Sequence, residues 1–177
     1  MVQLIELLGN RLLLRILQFF SDNPRESFYV EEVRKKLKIA KASAIKWFHI
    51  LEKGGLLTSK RVGRAINYSL NTEDALVKQL RILLVVYELK ALKELKSICD
   101  SIYLFGSSAR GEYLSDSDID LLIISNETIT KVTSELRKIK TSREVKPVIM
   151  TQLDYSILSR NDPAFYNRIE KDKVRLL

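Results

Sequence analysis

The chain has 177 residues, 46% of them apolar and 29% charged, which is enough for one large domain or two small ones around a real core. Its one cysteine, Cys99, excludes an intrachain disulfide and a cysteine metal cluster. The net charge of +8 is unevenly spread: residues 1–71 carry 13 Lys/Arg against 6 Asp/Glu, whereas residues 99–177 carry 12 of each, so one half is expected to meet a polyanion.

Leu4, Leu7, Leu8, Leu12, Ile16 and Phe19/Phe20 recur at helical spacing and predict a first helix from Val2 to Phe20, stopped by Ser21-Asp22-Asn23-Pro24. Val30, Val33 and Leu37 mark a short second helix, and Lys38–Lys41 a tight connection. A third helix is predicted from Lys41 to Glu52, with Gly54-Gly55 as its stop. Leu56–Val62 and Ala65–Leu70 read as a hairpin turning at Gly63-Arg64. Asn71-Thr72-Glu73-Asp74 opens a helix predicted to run to Ile98, about 40 Å at 1.5 Å per residue. Beyond it, Ser101–Phe105, Ile119–Ile124 and Glu144–Thr151 read as strands, with a helix over Thr128–Lys140 and two short helical segments at the end, the last opened by Asp162-Pro163. The longest apolar runs, such as Ile82–Tyr87, fall far short of the roughly 20 residues that span a bilayer. No basic, apolar, small-residue leader is legible, so a cytoplasmic protein with no membrane partner is expected.

Helix, short helix, tight turn, helix and basic hairpin, over Leu4 to Leu70, resembles the winged helix–turn–helix family. In the third helix Ala44, Phe48 and Leu51 share one face and should pack inward, leaving Lys41, Ser43, Lys46 and His49 near the outer face. The resemblance implies that this face enters the major groove of duplex DNA while Lys60, Arg61 and Arg64, around the hairpin tip, grip phosphate. The alternatives are a solvated basic face, or a winged helix used for protein contact. His49 is the only histidine and cannot anchor a multi-histidine metal site. Trp47 and Ile45 are expected to be partly buried.

The most specific pattern is Leu104-Phe105-Gly106-Ser107-Ser108-Ala109-Arg110-Gly111-Glu112, followed by Ser117-Asp118-Ile119-Asp120-Leu121-Leu122-Ile123. A buried strand ends in Gly-Ser, and Asp-x-Asp opens a second buried strand. Residues two apart on a strand share a face, so Asp118 and Asp120 project together, and two adjacent carboxylates call for a cation between them. Gly106 lets the chain approach phosphate closely, and the Ser107 hydroxyl with nearby backbone N–H groups can hold phosphate oxygens. Arg110 can neutralise phosphate or sit in a surface salt bridge. The bland reading of Asp118 and Asp120 is a turn and strand-edge capping pair.

Over Ser101 to Met150 these pieces resemble the nucleotidyltransferase superfamily, in particular its small stand-alone kind. The resemblance implies Mg²⁺ held by Asp118 and Asp120, a bound ATP or other NTP, and transfer of a nucleoside monophosphate to an acceptor with release of pyrophosphate. It also implies a third carboxylate on the next central strand, but Arg143-Glu144-Val145-Lys146-Pro147-Val148-Ile149 offers Lys146 there, with Glu144 two residues earlier as the remaining candidate. A lysine at that point opposes a second cation or replaces it as a point charge. Small members often act with a helical partner protein, which they modify or neutralise in toxin–antitoxin pairs.

The expected fold is therefore α+β: a winged helix of three helices and a hairpin over 1–71, a long linker or dimerisation helix over 72–98, and a nucleotidyltransferase-like mixed sheet with flanking helices over 99–177. Apolar residues on more than one side of the linker (Leu76, Leu80, Leu83, Leu84, Tyr87 and Leu95) make a homodimer the expected state. Two functions follow: a DNA-binding transcriptional regulator whose second domain binds Mg-nucleotide or a partner, or an active nucleotidyltransferase acting on an acceptor.

Overall fold

The computed structural model describes residues 9–177, an α+β protein that divides into two compact units between Lys78 and Gln79. In the first unit, helix α1 covers Arg11–Asp22, strand β1 Ser27–Tyr29, helix α2 Val30–Leu37 and helix α3 Lys41–Lys53. Strands β2 (Leu57–Val62) and β3 (Ala65–Leu70) follow. The helix expected from Val2 does not run through to Phe20. Asn10 is extended, and its side-chain oxygen accepts from the N–H groups of Leu12 and Leu13, so α1 has a capped start at Arg11. The part of that expectation on residues 1–8 lies outside the described residues.

Leu13, Ile16, Leu17 and Phe20 of α1 are buried at i, i+3, i+4 and i+7, as an amphipathic helix requires. Ala44, Phe48 and Leu51 are the buried face of α3, as their spacing predicts. Edge-to-face ring contacts run Phe28–Phe20–Phe48–Tyr68 at centroid distances of 5.8, 5.7 and 5.0 Å, linking β1, α1, α3 and β3. Lys38 takes a left-handed conformation (φ 54°) and turns the chain between α2 and α3. The hairpin turns at Gly63 (φ 61°), with Val62 paired to Ala65. Strand β1, not foreseen, pairs antiparallel with β3, giving the sheet order β1-β3-β2.

Asp74 caps helix α4 (Ala75–Glu88) by accepting from Leu76 and Val77, and the divide between units falls inside this helix. The single α-helix expected to Ile98 ends early: Leu89–Ser97 is a 3-10 helix. Its buried residues are Leu89, Leu92 and Leu95, spaced by threes, which matches three residues per turn. These leucines lie in the core of the second unit, so Leu95 is no part of an open face. Leu83 and Tyr87 are exposed, and Leu80 and Leu84 half-buried.

The second unit holds strands β4 (Ser101–Phe105), β5 (Ile119–Ile124), β6 (Val145–Met150) and β7 (Val174–Arg175) in the order β6-β5-β4-β7. Only β5 and β6 are parallel, and helix α6 (Ile129–Leu136) lies in the crossover between them; the short helix α5 is Gly106–Ala109. Pro147 is tolerated because β6 is an edge strand. One face of the sheet (Ile102, Leu104, Ile119, Leu121, Ile123) packs with the 3-10 helix and α6. The other (Phe105, Leu122, Ile124, Val148, Met150) packs with helices α7 (Gln152–Asn161) and α8 (Pro163–Glu170). No helix among the described residues is long and apolar enough to cross a membrane.

Candidate functional site

Strand β4 ends against a carboxylate. Gly106 has φ 72°, and a Cβ built there would stand 2.5 Å from Oδ2 of Asp120. Both features demand glycine: the left-handed backbone and the absence of a side chain. Across the sheet, Phe105 pairs with Asp120, and Asp120 pairs with Lys146. Cross-strand partners share a face, so Asp120 and Lys146 lie on the α7/α8 side of the sheet. Asp118, two residues before Asp120, joins them there: its Oδ2 is 2.5 Å from the Lys146 ammonium.

Burial pushes the Asp120 carboxyl above its usual range, and the Asp118 charge pushes the same way; Arg168, Lys146 and Arg110 oppose it. Asp118 raises the pKa of Lys146 in turn, holding the lysine in its charged form. The Ser107 hydroxyl, beside Gly106, has no protein partner among the described residues, so it is open to a ligand. Arg110 is engaged. Its guanidinium binds Glu112 at 2.8 Å and Asp172 at 2.6 Å, the salt-bridge alternative of the sequence reading.

The loop between the Gly-Ser turn and Asp118 is fixed by groups that sequence reasoning missed. Arg81, fully buried on α4, donates to the carbonyls of Gly111 (2.7 Å) and Tyr113. The Tyr113 ring lies between two guanidinium groups, Arg81 at 4.1 Å and Arg143 at 4.0 Å from its centroid. Arg143 also donates to Ser108 Oγ (3.1 Å) and the Ser117 carbonyl (3.3 Å), bridging the two ends of the loop. A signal for Arg81 was present: it falls four residues after Val77 and four before Val85, both buried, in the middle of an apolar helix face.

Glu144 is exposed. Its carbonyl accepts from Ile119 N–H at 2.8 Å, while its carboxylate completes no cluster: among the described residues no three His, Cys, Asp or Glu are grouped to hold a metal. Asp118 and Asp120 therefore fit one divalent cation whose shell is filled by phosphate and water, as Mg²⁺ accepts. A second-cation set of carboxylates is not assembled, and the lysine stands beside the pair instead.

In the first unit Lys41, Lys46 and His49 on α3 are exposed, and Ser43 is half-buried. Lys60, Arg61 and Arg64, at the hairpin tip, are exposed too. None of these five lysines and arginines forms an ion pair among the described residues. Trp47 is half-buried as expected, with the Lys46 ammonium 4.9 Å from its ring centroid; Ile45, expected to be partly buried, is instead 50% exposed among the cations.

The nucleotidyltransferase domain family matches residues 88–176, just over half of the chain and the whole of the site around Gly106 and Asp120. The chain belongs to this family. A solved structure of a presumed nucleotidyltransferase from Sulfolobus solfataricus is 21% identical, covering 55% of this chain and 80% of that one at a TM-score of 0.33, a likeness too loose to assign any residue a role. No curated relative matches the sequence.

The Gly106 geometry generates a stability test. Gly106→Ala is expected to destabilise the protein by about 1–3 kcal/mol, measured by urea unfolding. Gly63→Ala has a similar positive φ but open space around its Cβ, and is expected to lose less. Equal losses would mean that the contact with Asp120 contributes nothing.

Proposed function

We propose that this chain is a DNA-binding transcriptional regulator whose nucleotidyltransferase domain binds a nucleoside triphosphate with Mg²⁺ and transfers it slowly or not at all. The observation that carries the second half is the Lys146–Asp118 ion pair at 2.5 Å, in the position where the family resemblance calls for a third carboxylate. Asp118 and Asp120 would hold the cation, which when bound would supply Lewis-acid stabilisation of phosphate charge. The Ser107 hydroxyl would donate to a phosphate oxygen, and Gly106 leaves room for the chain to approach. Among the described residues no carboxylate stands across from the pair to help activate an acceptor, so binding outlasts catalysis.

The first half rests on the order of elements in the first unit and on its charge. A helix carrying Lys41, Lys46 and His49 outward, followed by a hairpin with Lys60, Arg61 and Arg64 at its tip, supports the winged helix–turn–helix reading. The α3 side chains would read bases in the major groove, and the hairpin cations would bind phosphate. A homodimer would present two such units to two half-sites, and the exposed Leu83 and Tyr87 of α4 are the proposed contact. A helical partner protein is the alternative occupant of that face. The second reading, an active transferase acting on an acceptor, is favoured by the intact Asp118/Asp120 pair beside Gly106 and by the open Ser107 hydroxyl.

Full-length protein is expected to bind duplex DNA with a log–log salt slope of about −4 to −5, the value for roughly five neutralised phosphates. Arg64→Ala should weaken all sequences alike, whereas Lys46→Ala should alter sequence preference in a gel-shift series. A salt-independent or absent interaction at low salt would sink the DNA reading. Sedimentation at tens of micromolar checks the dimer; a monomer there refutes it.

Calorimetry with ATP and Mg²⁺ tests the second domain. The wild type should bind in the micromolar range or more weakly, and Asp118→Asn with Asp120→Asn should abolish Mg²⁺-dependent binding while DNA binding persists. Lys146→Asp should strengthen metal binding. Equal nucleotide binding by wild type and the double Asn variant would make the pair structural. Brisk transfer of label from ATP to any acceptor by the wild type would establish the transferase reading instead.

A further inference from the structure

Three cations stand around the Gly106 turn and the aspartate pair: Lys146 beside Asp118, Arg110 in the loop after the turn, and Arg168 over the Phe105 ring. They are not equally available to a ligand. Lys146 sits on Asp118. Arg110 is held at both ends of its guanidinium by Glu112 and Asp172. The Asp172 side chain is only 11% exposed, and its other oxygen, Oδ1, is buried with no partner. Turning Arg110 toward a phosphate would strip that buried carboxylate of its counter-charge, a costly exchange. The arginine within the motif is thus fixed by structure.

Arg168 differs on each count. It is exposed on α8 and makes no ion pair among the described residues. Helix α8 packs through Phe165 and Ile169 on the sheet face that carries Phe105, and by register the same face carries Asp120 and Lys146. The Arg168 guanidinium lies 5.9 Å from the Phe105 ring centroid, and Phe105 is the residue immediately before Gly106. A planar, always-charged donor fork therefore stands beside the turn with its hydrogen-bonding edges uncommitted, which suits bidentate capture of phosphate.

We infer that Arg168 binds the phosphate chain of the nucleotide, and that Arg110 does not. This rests on the nucleotide-binding reading above. The ligand class is a nucleotide bearing several phosphates, since a guanidinium beside two carboxylates is productive only when the ligand brings enough negative charge to satisfy it and the cation together.

The test is calorimetry on the full-length protein with ATP and with AMP, each with Mg²⁺, for the wild type, Arg168→Gln and Arg168→Lys. Arg168→Gln is expected to weaken ATP binding tenfold or more and AMP binding far less, with Arg168→Lys recovering part of the ATP affinity. The side chain is exposed, so unchanged thermal unfolding is expected for both variants. ATP affinity equal to wild type in Arg168→Gln overturns the inference while leaving nucleotide binding intact. Equal losses for ATP and AMP also overturn it, because the residue would then act by balancing Asp120 and not on the phosphate chain. A wild type that binds neither nucleotide overturns the nucleotide reading itself, and the inference with it.

Discussion

The second unit is organised around a partly buried carboxylate packed onto a backbone that has no side chain. Asp120 can occupy its place only because residue 106 is glycine: any Cβ there would stand 2.5 Å from a carboxylate oxygen. That contact fixes the end of β4 relative to the start of β5. The loop between them has to bring both ends to the same spot, and the chain achieves this with arginines. Arg81 binds the loop's carbonyls from within, Arg143 bridges Ser108 and Ser117, and Tyr113 is held between the two. Guanidinium groups suit this task because they donate several hydrogen bonds in fixed directions and stack on a ring at the same time.

The charge balance of the site follows from that geometry. Burial disfavours an ionised Asp120, and Asp118 beside it adds repulsion. Something positive must be near, and the sequence supplies lysine where the resemblance calls for a carboxylate. The Lys146 side chain is 60% exposed, so its pairing with Asp118 is screened by water and is not a rigid lock. In the proposed function a divalent cation with triphosphate displaces it. What the lysine does alter is the second cation position, because its own charge repels a further metal while offering no ligand oxygen. In the proposed function, binding and catalysis separate at this one residue.

The first unit makes a different use of charge. Its core is aromatic and apolar, and its exposed lysines and arginines on α3 and the hairpin are left without carboxylate partners among the described residues. Some surface cations elsewhere are paired along helices, as with Arg34 and Glu31, Lys131 and Glu127, or Lys138 and Glu135. Unpaired positive charge gathered on one helix and one hairpin tip is unfavourable by self-repulsion unless a polyanion meets it. The exposed Ile45 among those cations adds an apolar group on the same helix, a chemistry that suits contact with a thymine methyl more than contact with phosphate.

What was legible in the sequence is what local pattern encodes. Strands β4 and β5 stand where their apolar runs predict, and the shared face of Asp118 and Asp120 follows from strand alternation. The inward face of α3 follows from helical periodicity in the same way. The failures have physical causes. Asn10 was read through as part of a continuous apolar period, although an Asn side chain can cap a helix as well as ride on one. Leu89, Leu92 and Leu95 were absorbed into an α-helical pattern because over three turns a period of 3.0 and one of 3.6 touch many of the same residues. Arg81 and Arg168 were missed for a deeper reason. Each reaches the neighbourhood of the Gly-Ser and Asp-x-Asp motifs from a helix distant in sequence, and only the packing of that helix on the sheet or loop brings it there. A motif names the groups that the strand ends present. The cations near such motifs come from helices that pack on the sheet or loop, and of these two only Arg81, set between buried Val77 and Val85 on one helix face, left a signal in the sequence.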